Sequence, residues 1–187
     1  KRCFNKQFFF IVTIQVSSDS QLTKGSRFKS NEEFIYKVIN DFARAKLDNV
    51  NLIFKHHPRD RGYINYNYFV KKISDKFCIG NKVFYIHDFS LTKIFTNPKC
   101  KGTVLINSTV GYQSLYHSIP LKALGISAYN INGLTHHGSL ISFFKKPNFV
   151  DKLLFRKFYK YIIENSQINS NFDGFFPFQN VFICSKK

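Results

Sequence analysis

The chain has no methionine and no tryptophan. A complete gene product begins with Met, so a sequence opening at Lys1 is expected to be a piece of a longer protein. Carboxylates are scarce: 11 Asp and Glu stand against 28 Lys and Arg, for a formal net charge of +17. No cysteines form a CxxC pair. Cys3, Cys78, Cys100 and Cys184 are scattered, which argues against a zinc site and reads as reduced thiols in a cytoplasm. The longest apolar run, Phe8 to Ile14, is too short to span a bilayer and lacks the charged-then-small pattern of a signal peptide. No GxGxxG follows the first apolar segment, and neither GxxxxGK[ST] nor GxSxG occurs. A dinucleotide fingerprint, a P-loop and a nucleophile elbow are thereby excluded. No internal repeat or low-complexity segment is present.

What is there fits one domain. The 187 residues can bury a sizeable core, and the single domain expected over 1–187 closes in an irregular, aromatic-rich tail over 165–187. The basic excess admits nucleic acid, a membrane surface or an anionic substrate as partner. It consists of 22 Lys and only 6 Arg, whereas base readout leans on bidentate Arg. Part of the charge is compositional, since Asn, Ile, Phe and Tyr are abundant in the way an AT-rich genome produces.

Strand and helix signals alternate along the chain. Apolar, β-branched segments at Phe8–Val16, Val50–Phe54, Lys82–Ile86, Gly102–Ile106 and Ile119–Gly125 read as strands. Ser30 and Glu33 form a capping-box pattern, and Phe34, Ile35, Val38, Ile39, Phe42 and Ala43 follow at helical spacing, so a helix is predicted to end near Lys46. Further helices are predicted over Ile64–Asp75, Ser90–Asn97, Tyr112–Ser118 and Phe149–Glu164, the last with Leu153, Leu154, Phe158 and Ile162 on one face. Residues 129–138 read as loop. This alternation predicts an α/β fold, a doubly wound and mostly parallel sheet of Rossmann-like type.

The chemistry gathers where strands end. The segment Lys55-His56-His57-Pro58-Arg59-Asp60-Arg61-Gly62 places two imidazoles, three other cations and one carboxylate directly after a buried strand. Pro58 biases His57 toward an extended backbone. Three more strand ends are polar: Gln15 with Asp19 and Gln21, His87-Asp88, and Asn107-Ser108-Thr109 ahead of Gly111. Alone, the first reads better as an ordinary loop and the second as a helix cap, while the third can be an N-cap and a site at once. In a parallel sheet all four open on one edge, where such folds bind ligands, and hydroxyls at a strand–helix junction suit an anion. Among these residues His57 is the candidate catalytic group, by hydrogen bond or proton donation to a departing phosphate. Its neighbour His56 points to the other side by strand alternation. No metal ligand set is evident.

The blocks Gln15-Val16 with Asp19-Ser20-Gln21, Lys55-His56-His57-Pro58 with Asp60-Arg61-Gly62, Ile106-Asn107-Ser108-Thr109-Val110-Gly111 and Gly133-Leu134-Thr135 resemble those of the bacterial capsule polysaccharide biosynthesis proteins. Within that group the similarity is to the β-Kdo transferases that build the capsule's lipid-linked Kdo linker. It runs from about Phe8 to Asn171. The resemblance implies the C-terminal, donor-binding half of a two-domain GT-B glycosyltransferase. It also implies CMP-Kdo as donor substrate with no cofactor, and a phospholipid or glycolipid acceptor. The location it implies is the cytoplasmic surface of the inner membrane. The N-terminal acceptor domain, with any catalytic carboxylate it supplies, is then missing from this chain. The related bacterial sialyltransferases carry an HP motif and a Ser-Ser/Thr motif around CMP, which match His57-Pro58 and Ser108-Thr109. Lys55, His56, Pro58, Arg61, Gly62, His87, Asp88 and Gly111 join the implied donor contacts.

Two other readings compete. One is a basic nucleic-acid-binding module, resting on the charge and the many aromatics. The aromatics lie in apolar runs and helix stripes, which places them in a core and argues against nucleic acid as partner. The other is a non-catalytic remnant, against which the intact motifs speak.

Overall fold

The computed structural model describes residues 7–17, 24–60 and 63–166. The predicted tail, Phe172 to Phe178 included, lies outside the described residues. So do Cys3, Cys184, Asp19, Gln21, Arg61 and Gly62. The chain divides into two compact units, 1–151 and 152–187. The first contains five strands: β1 (Phe8–Thr13), β2 (Val50–Lys55), β3 (Val83–Ile86), β4 (Cys100–Leu105) and β5 (Leu121–Ala123). They form one sheet in the order β3-β2-β1-β4-β5, and every pairing is parallel. The predicted doubly wound α/β architecture is therefore the observed one. Among the described residues its helices include α1 (Asn31–Ala45), α2 (Asn67–Lys76), α3 (Leu91–Phe95), α4 (Val110–Tyr116) and α5 (Leu140–Lys145).

The near-continuous apolar runs follow from burial on both faces. Along β1, Phe10 and Val12 pack with the residues of α1, α2 and α5, while Phe9 and Ile11 pack with Ile94 and Phe95 of α3. On β2, Leu52 and Phe54 share the first cluster and Ile53 the second. This is the period of two expected of a strand. The aromatics fill these clusters: Phe10 meets Phe144 edge-on at 5.0 Å between centroids, and Phe42 meets Phe144 at 5.2 Å. Rings committed to the core are not platforms for bases, which weakens the nucleic-acid reading, although Tyr63, Tyr68, Tyr116 and Phe149 are exposed.

Helix α1 begins as its sequence dictates. Ser30 is the N-cap, its Oγ accepting from the Glu33 N–H at 3.4 Å. Glu33 reaches back one residue further than in a standard capping box, accepting from the Lys29 N–H at 2.8 Å. Lys46 ends the helix in the left-handed region at φ 51°. The buried stripe runs to Ala45 rather than Ala43.

Several boundaries differ from expectation. β1 stops at Thr13, and Ile14 to Val16 continue as loop. α2 starts at Asn67 rather than Ile64, and upstream of it the Tyr63 and Ile64 N–H groups donate to the Asp60 carbonyl, each at 3.1 Å. β5 keeps only three residues. Helix α5 lies just past the loop expected over 129–138, in a stretch with no predicted element. Ser139 caps it, accepting from the Ser142 N–H at 3.0 Å, and Leu140, Phe143 and Phe144 are buried. Six residues are too few for a helical period to show in sequence.

The second unit begins with α6 (Lys152–Ser166), predicted as Phe149–Glu164. Within it, Lys160 and Glu164 pair at 3.7 Å in an i,i+4 relation. No helix among the described residues is long and apolar enough to cross a membrane.

Gly102 shows how tightly α5 sits on the sheet. A Cβ there would lie 2.7 Å from Cζ of Phe143 and 3.1 Å from the Pro120 carbonyl oxygen. Gly102→Ala is expected to destabilise the fold by about 1–3 kcal/mol through overpacking, read as a lowered midpoint in chemical denaturation. An unchanged midpoint would show that α5 is loosely docked.

Candidate functional site

Successive connections leave β1 in opposite directions, toward β2 and β3 on one side and toward β4 and β5 on the other. The loops following β1 and β4 therefore diverge and leave a crevice at the carboxyl edge of the sheet, the standard ligand position in such folds. A cavity of about 330 Å³ lies there, lined by Gln15, Val16, His57, Arg59, Asn107, Ser108 and Thr109. A larger cavity of about 840 Å³ opens at the opposite edge, among Cys100, Pro120, Lys145 and Phe149. It is remote from every motif residue.

Side-chain and backbone bonds fix the crevice walls. The Gln15 amide donates from Nε2 to Oδ1 of Asn107 at 2.5 Å, joining the ends of β1 and β4. The Gln15 carbonyl accepts from Nδ2 of Asn31, in the first turn of α1, at 3.0 Å. On the β4 side the Ser108 carbonyl accepts from the Tyr129 hydroxyl at 2.6 Å. Tyr129 is 1% exposed, and its ring fits only because residue 111 is glycine. A Cβ on Gly111 would lie 2.7 Å from the Tyr129 hydroxyl oxygen. Burial pushes that hydroxyl's pKa up. Ser108 Oγ accepts from the Val110 N–H at 3.3 Å. Helix α4 has only seven residues, so its dipole adds little, and the polar character of this wall comes from the Asn107–Thr109 groups themselves.

The two histidines of the β2 loop separate. His56 extends the ladder, its N–H donating to the Ile86 carbonyl at 2.8 Å. Its ring is 3% exposed and lies 2.5 Å through Nδ1 from the Tyr85 hydroxyl. That hydroxyl, pushed up to about 12 mainly by burial, also accepts from the Tyr66 N–H at 3.4 Å. Burial lowers the His56 pKa, and His87 adds to the effect against an opposing contribution from Asp60. His57, half-buried, lines the cavity instead. Its Nδ1 accepts from the Arg59 N–H at 3.2 Å. In the neutral ring the proton is then assigned to Nε2, which makes that nitrogen the donor.

The structure thus brings Gln15, His57, Asn107, Ser108 and Thr109 together and keeps other expected site residues away. Lys55 is 8% exposed, donates to the His56 carbonyl at 3.4 Å and has its pKa lowered by desolvation. It does not line the cavity, and neither does exposed Pro58. His87 and Asp88 are exposed at the end of β3, an edge strand with β2 between it and β1. Gly111 serves packing rather than the cavity wall. Arg59 was passed over as a site residue, although it stands inside the KHHPRDRG segment. No carboxylate is among the described lining residues, and His57, Arg59 and the neutral donors present a surface suited to an anion. Among the described residues, no group of three His, Cys, Asp or Glu is placed to hold a metal ion.

Comparison with known proteins agrees with this assembly of motifs. The family model described as capsule polysaccharide biosynthesis protein matches residues 2–173. Capsule polysaccharide export protein KpsS of Escherichia coli is 34% identical over 164 residues, covering 88% of this chain and 42% of that protein. Capsule polysaccharide modification protein LipB of Neisseria meningitidis serogroup A is 38% identical over 175 residues, covering 92% of this chain and 41% of that protein. Among solved structures, Thermosulfurimonas dismutans KpsC, a beta Kdo 2,7 transferase, superposes with a TM-score of 0.48 at 22% identity, over 75% of this chain and 44% of that one. The C-terminal domain of a glycosyl transferase group 1 family protein (LpcC) from Francisella tularensis gives 0.46 at 10% identity, over 88% and 80%. The chain belongs to the capsule polysaccharide biosynthesis protein family. It spans about two fifths of the length of the curated relatives it matches.

Two buried histidines generate a pH dependence. Burial lowers the pKa of both His56 and His136. The unfolded chain then binds more protons than the folded one as pH falls through the unfolded value of about 6.5, and stability falls with it. The protein is expected to be less stable at pH 5.5 than at pH 7.5, and His56→Phe should flatten that slope. Equal denaturation midpoints at the two pH values would contradict the burial of these rings.

Proposed function

We propose that this chain is the donor-binding half of a capsule polysaccharide glycosyltransferase of the GT-B type, and that the crevice between β1 and β4 holds the phosphate of a CMP-sugar. The observation that carries the reading is the cavity lined by His57, Arg59, Asn107, Ser108 and Thr109, with no carboxylate among its described lining residues. Family membership supports the capsule context. The HP and Ser-Thr blocks support CMP, and the similarity to β-Kdo transferases supports CMP-Kdo as donor. A phospholipid or glycolipid acceptor at the inner membrane follows from the same similarity. The acceptor and its activating base belong to the remainder of the longer relatives, which this chain does not cover.

In this mechanism the acceptor hydroxyl attacks the anomeric carbon while the bond from that carbon to the CMP phosphate oxygen breaks. Negative charge grows on the departing phosphate. Nε2–H of His57 meets that oxygen by hydrogen bond or proton donation, and Arg59 with the Asn107–Thr109 groups stabilises the rest of the charge. No step calls on a metal.

Calorimetry with the monophosphates of cytidine, uridine and adenosine tests the donor reading: weak binding with preference for CMP is expected. Ser108→Ala with Thr109→Ala should weaken CMP binding by about 1–3 kcal/mol through lost hydrogen bonds to phosphate. Equal affinity for all three nucleotides, or an unaffected double variant of intact fold, would overturn it. The same chain mixed with CMP-Kdo and a lysophospholipid should transfer nothing, because joining two substrates supplies roughly 7–11 kcal/mol that one domain lacks.

The histidines should also separate in function. In the full-length enzyme, His57→Ala is expected to lower turnover far more than His56→Ala, while His56→Ala lowers the unfolding midpoint more. The reverse ranking in turnover would assign the chemistry to the wrong ring.

A further inference from the structure

Asp60 is a carboxylate beside a site that suits an anion, and it is only 4% exposed. By Coulomb's law a negative group there works against phosphate binding, so its presence needs another reason. Oδ2 of Asp60 accepts from the Ser17 backbone N–H at 3.0 Å, and Oδ1 from the Ser17 hydroxyl at 3.2 Å. These two bonds cross 43 positions of sequence and join the loop after β2 to the loop after β1. The last ladder bond between the two strands runs from the Ile14 N–H to the Lys55 carbonyl at 3.2 Å. Past that point the walls carrying Gln15 and Val16 on one side, and His57 and Arg59 on the other, have left the sheet.

Asp60 is also the hub of its own turn. Its N–H donates to the His57 carbonyl at 3.1 Å, and its carbonyl accepts from Tyr63 and Ile64. The Arg59 N–H that fixes the His57 ring lies within this turn. One side chain therefore locks a turn and fastens it to the opposite wall. Charge-assisted bonds from both Ser17 donors offset the cost of burying the carboxylate.

We propose that Asp60 is a positioning residue for the donor site: its carboxylate, gripping Ser17, holds the two loops at the spacing that lets His57 and Arg59 meet a phosphate together. The inference rests on the donor-site reading given above. It makes a prediction opposite in sign to that of charge alone. If Asp60 acts only through its charge, Asp60→Asn and Asp60→Ala both tighten CMP binding. If it positions, affinity falls in the order wild type, Asp60→Asn, Asp60→Ala, because Asn keeps the shape and weaker neutral bonds to Ser17.

The experiment measures CMP affinity by calorimetry for wild type, Asp60→Asn, Asp60→Ala, Ser17→Ala and the Ser17→Ala/Asp60→Ala pair, with the unfolding midpoint of each. Asp60→Ala is expected to lose about tenfold in affinity, and Asp60→Asn and Ser17→Ala about threefold each. Ser17→Ala should add nothing in the Asp60→Ala background. Tighter binding by either Asp60 variant, or full additivity of the pair, overturns the proposal. Amide hydrogen exchange of the unliganded protein decides the tie even if wild type binds no CMP, an outcome that would count against the donor reading instead. Ser17→Ala, a half-buried change on the far loop, should speed exchange of the Arg59 amide. Unchanged exchange at Arg59 would overturn the proposal without touching the donor reading.

Discussion

The parallel pairing of β1 with β2 on one side and β4 on the other is the constraint on which the rest depends. A parallel strand must be reached by a crossover, and here the crossovers leave β1 first in one direction and then in the other. Two consequences are geometric. Every strand ends on the same edge, and the loops after β1 and β4 turn away from each other. A crevice opens where the ladder stops. Gln15 and Asn107 stand at that point on adjacent strands, and their side chains take over from the ladder at 2.5 Å.

Backbone beyond a strand end must find partners for its N–H and C=O groups, and this protein finds them in side chains from distant elements. Asn31 of α1 holds the Gln15 carbonyl, Tyr129 holds that of Ser108, and Asp60 holds the Ser17 N–H. These bonds preset the cavity walls without a ligand present. Preorganised polar walls are what a site for a developing phosphate charge requires, since they cost no rearrangement when the charge appears. Family membership comes from the blocks in the sequence, and the geometry gathers several of those blocks at one edge of the sheet.

Much of this was legible beforehand, for physical reasons. Runs such as Phe8–Val12 and Leu52–Phe54 are apolar at consecutive positions because both sheet faces are covered, and the polar bursts after them mark the carboxyl edge. The two histidines part as strand alternation expects, one ring bonding Tyr85 within the fold and the other lining the cavity, so His56, counted among the implied donor contacts, does not line it. Strand order was not legible, so nothing in the sequence could say that His87 and Asp88 end an edge strand while Gln15 and Asn107 end neighbouring central ones. Gly111 resembled part of an anion-binding turn, but its role is to admit a tyrosine 18 positions later in the chain. Arg59 and Asp60 stood in plain sight between the histidines and Gly62. Which of them reaches the cavity and which reaches Ser17 is set by the short 3-10 turn at Pro58–Asp60, whose pitch no periodicity in three residues reveals.

The central claim is that the β1/β4 crevice is a phosphate site for a cytidine nucleotide. The most direct measurement is a crystal structure of the chain grown with CMP. The account predicts the phosphate in hydrogen-bond contact with His57 and with the Asn107–Thr109 segment, between the ends of β1 and β4. CMP seated in the cavity at the opposite edge, among Cys100, Lys145 and Phe149, or a phosphate out of reach of His57, would contradict it.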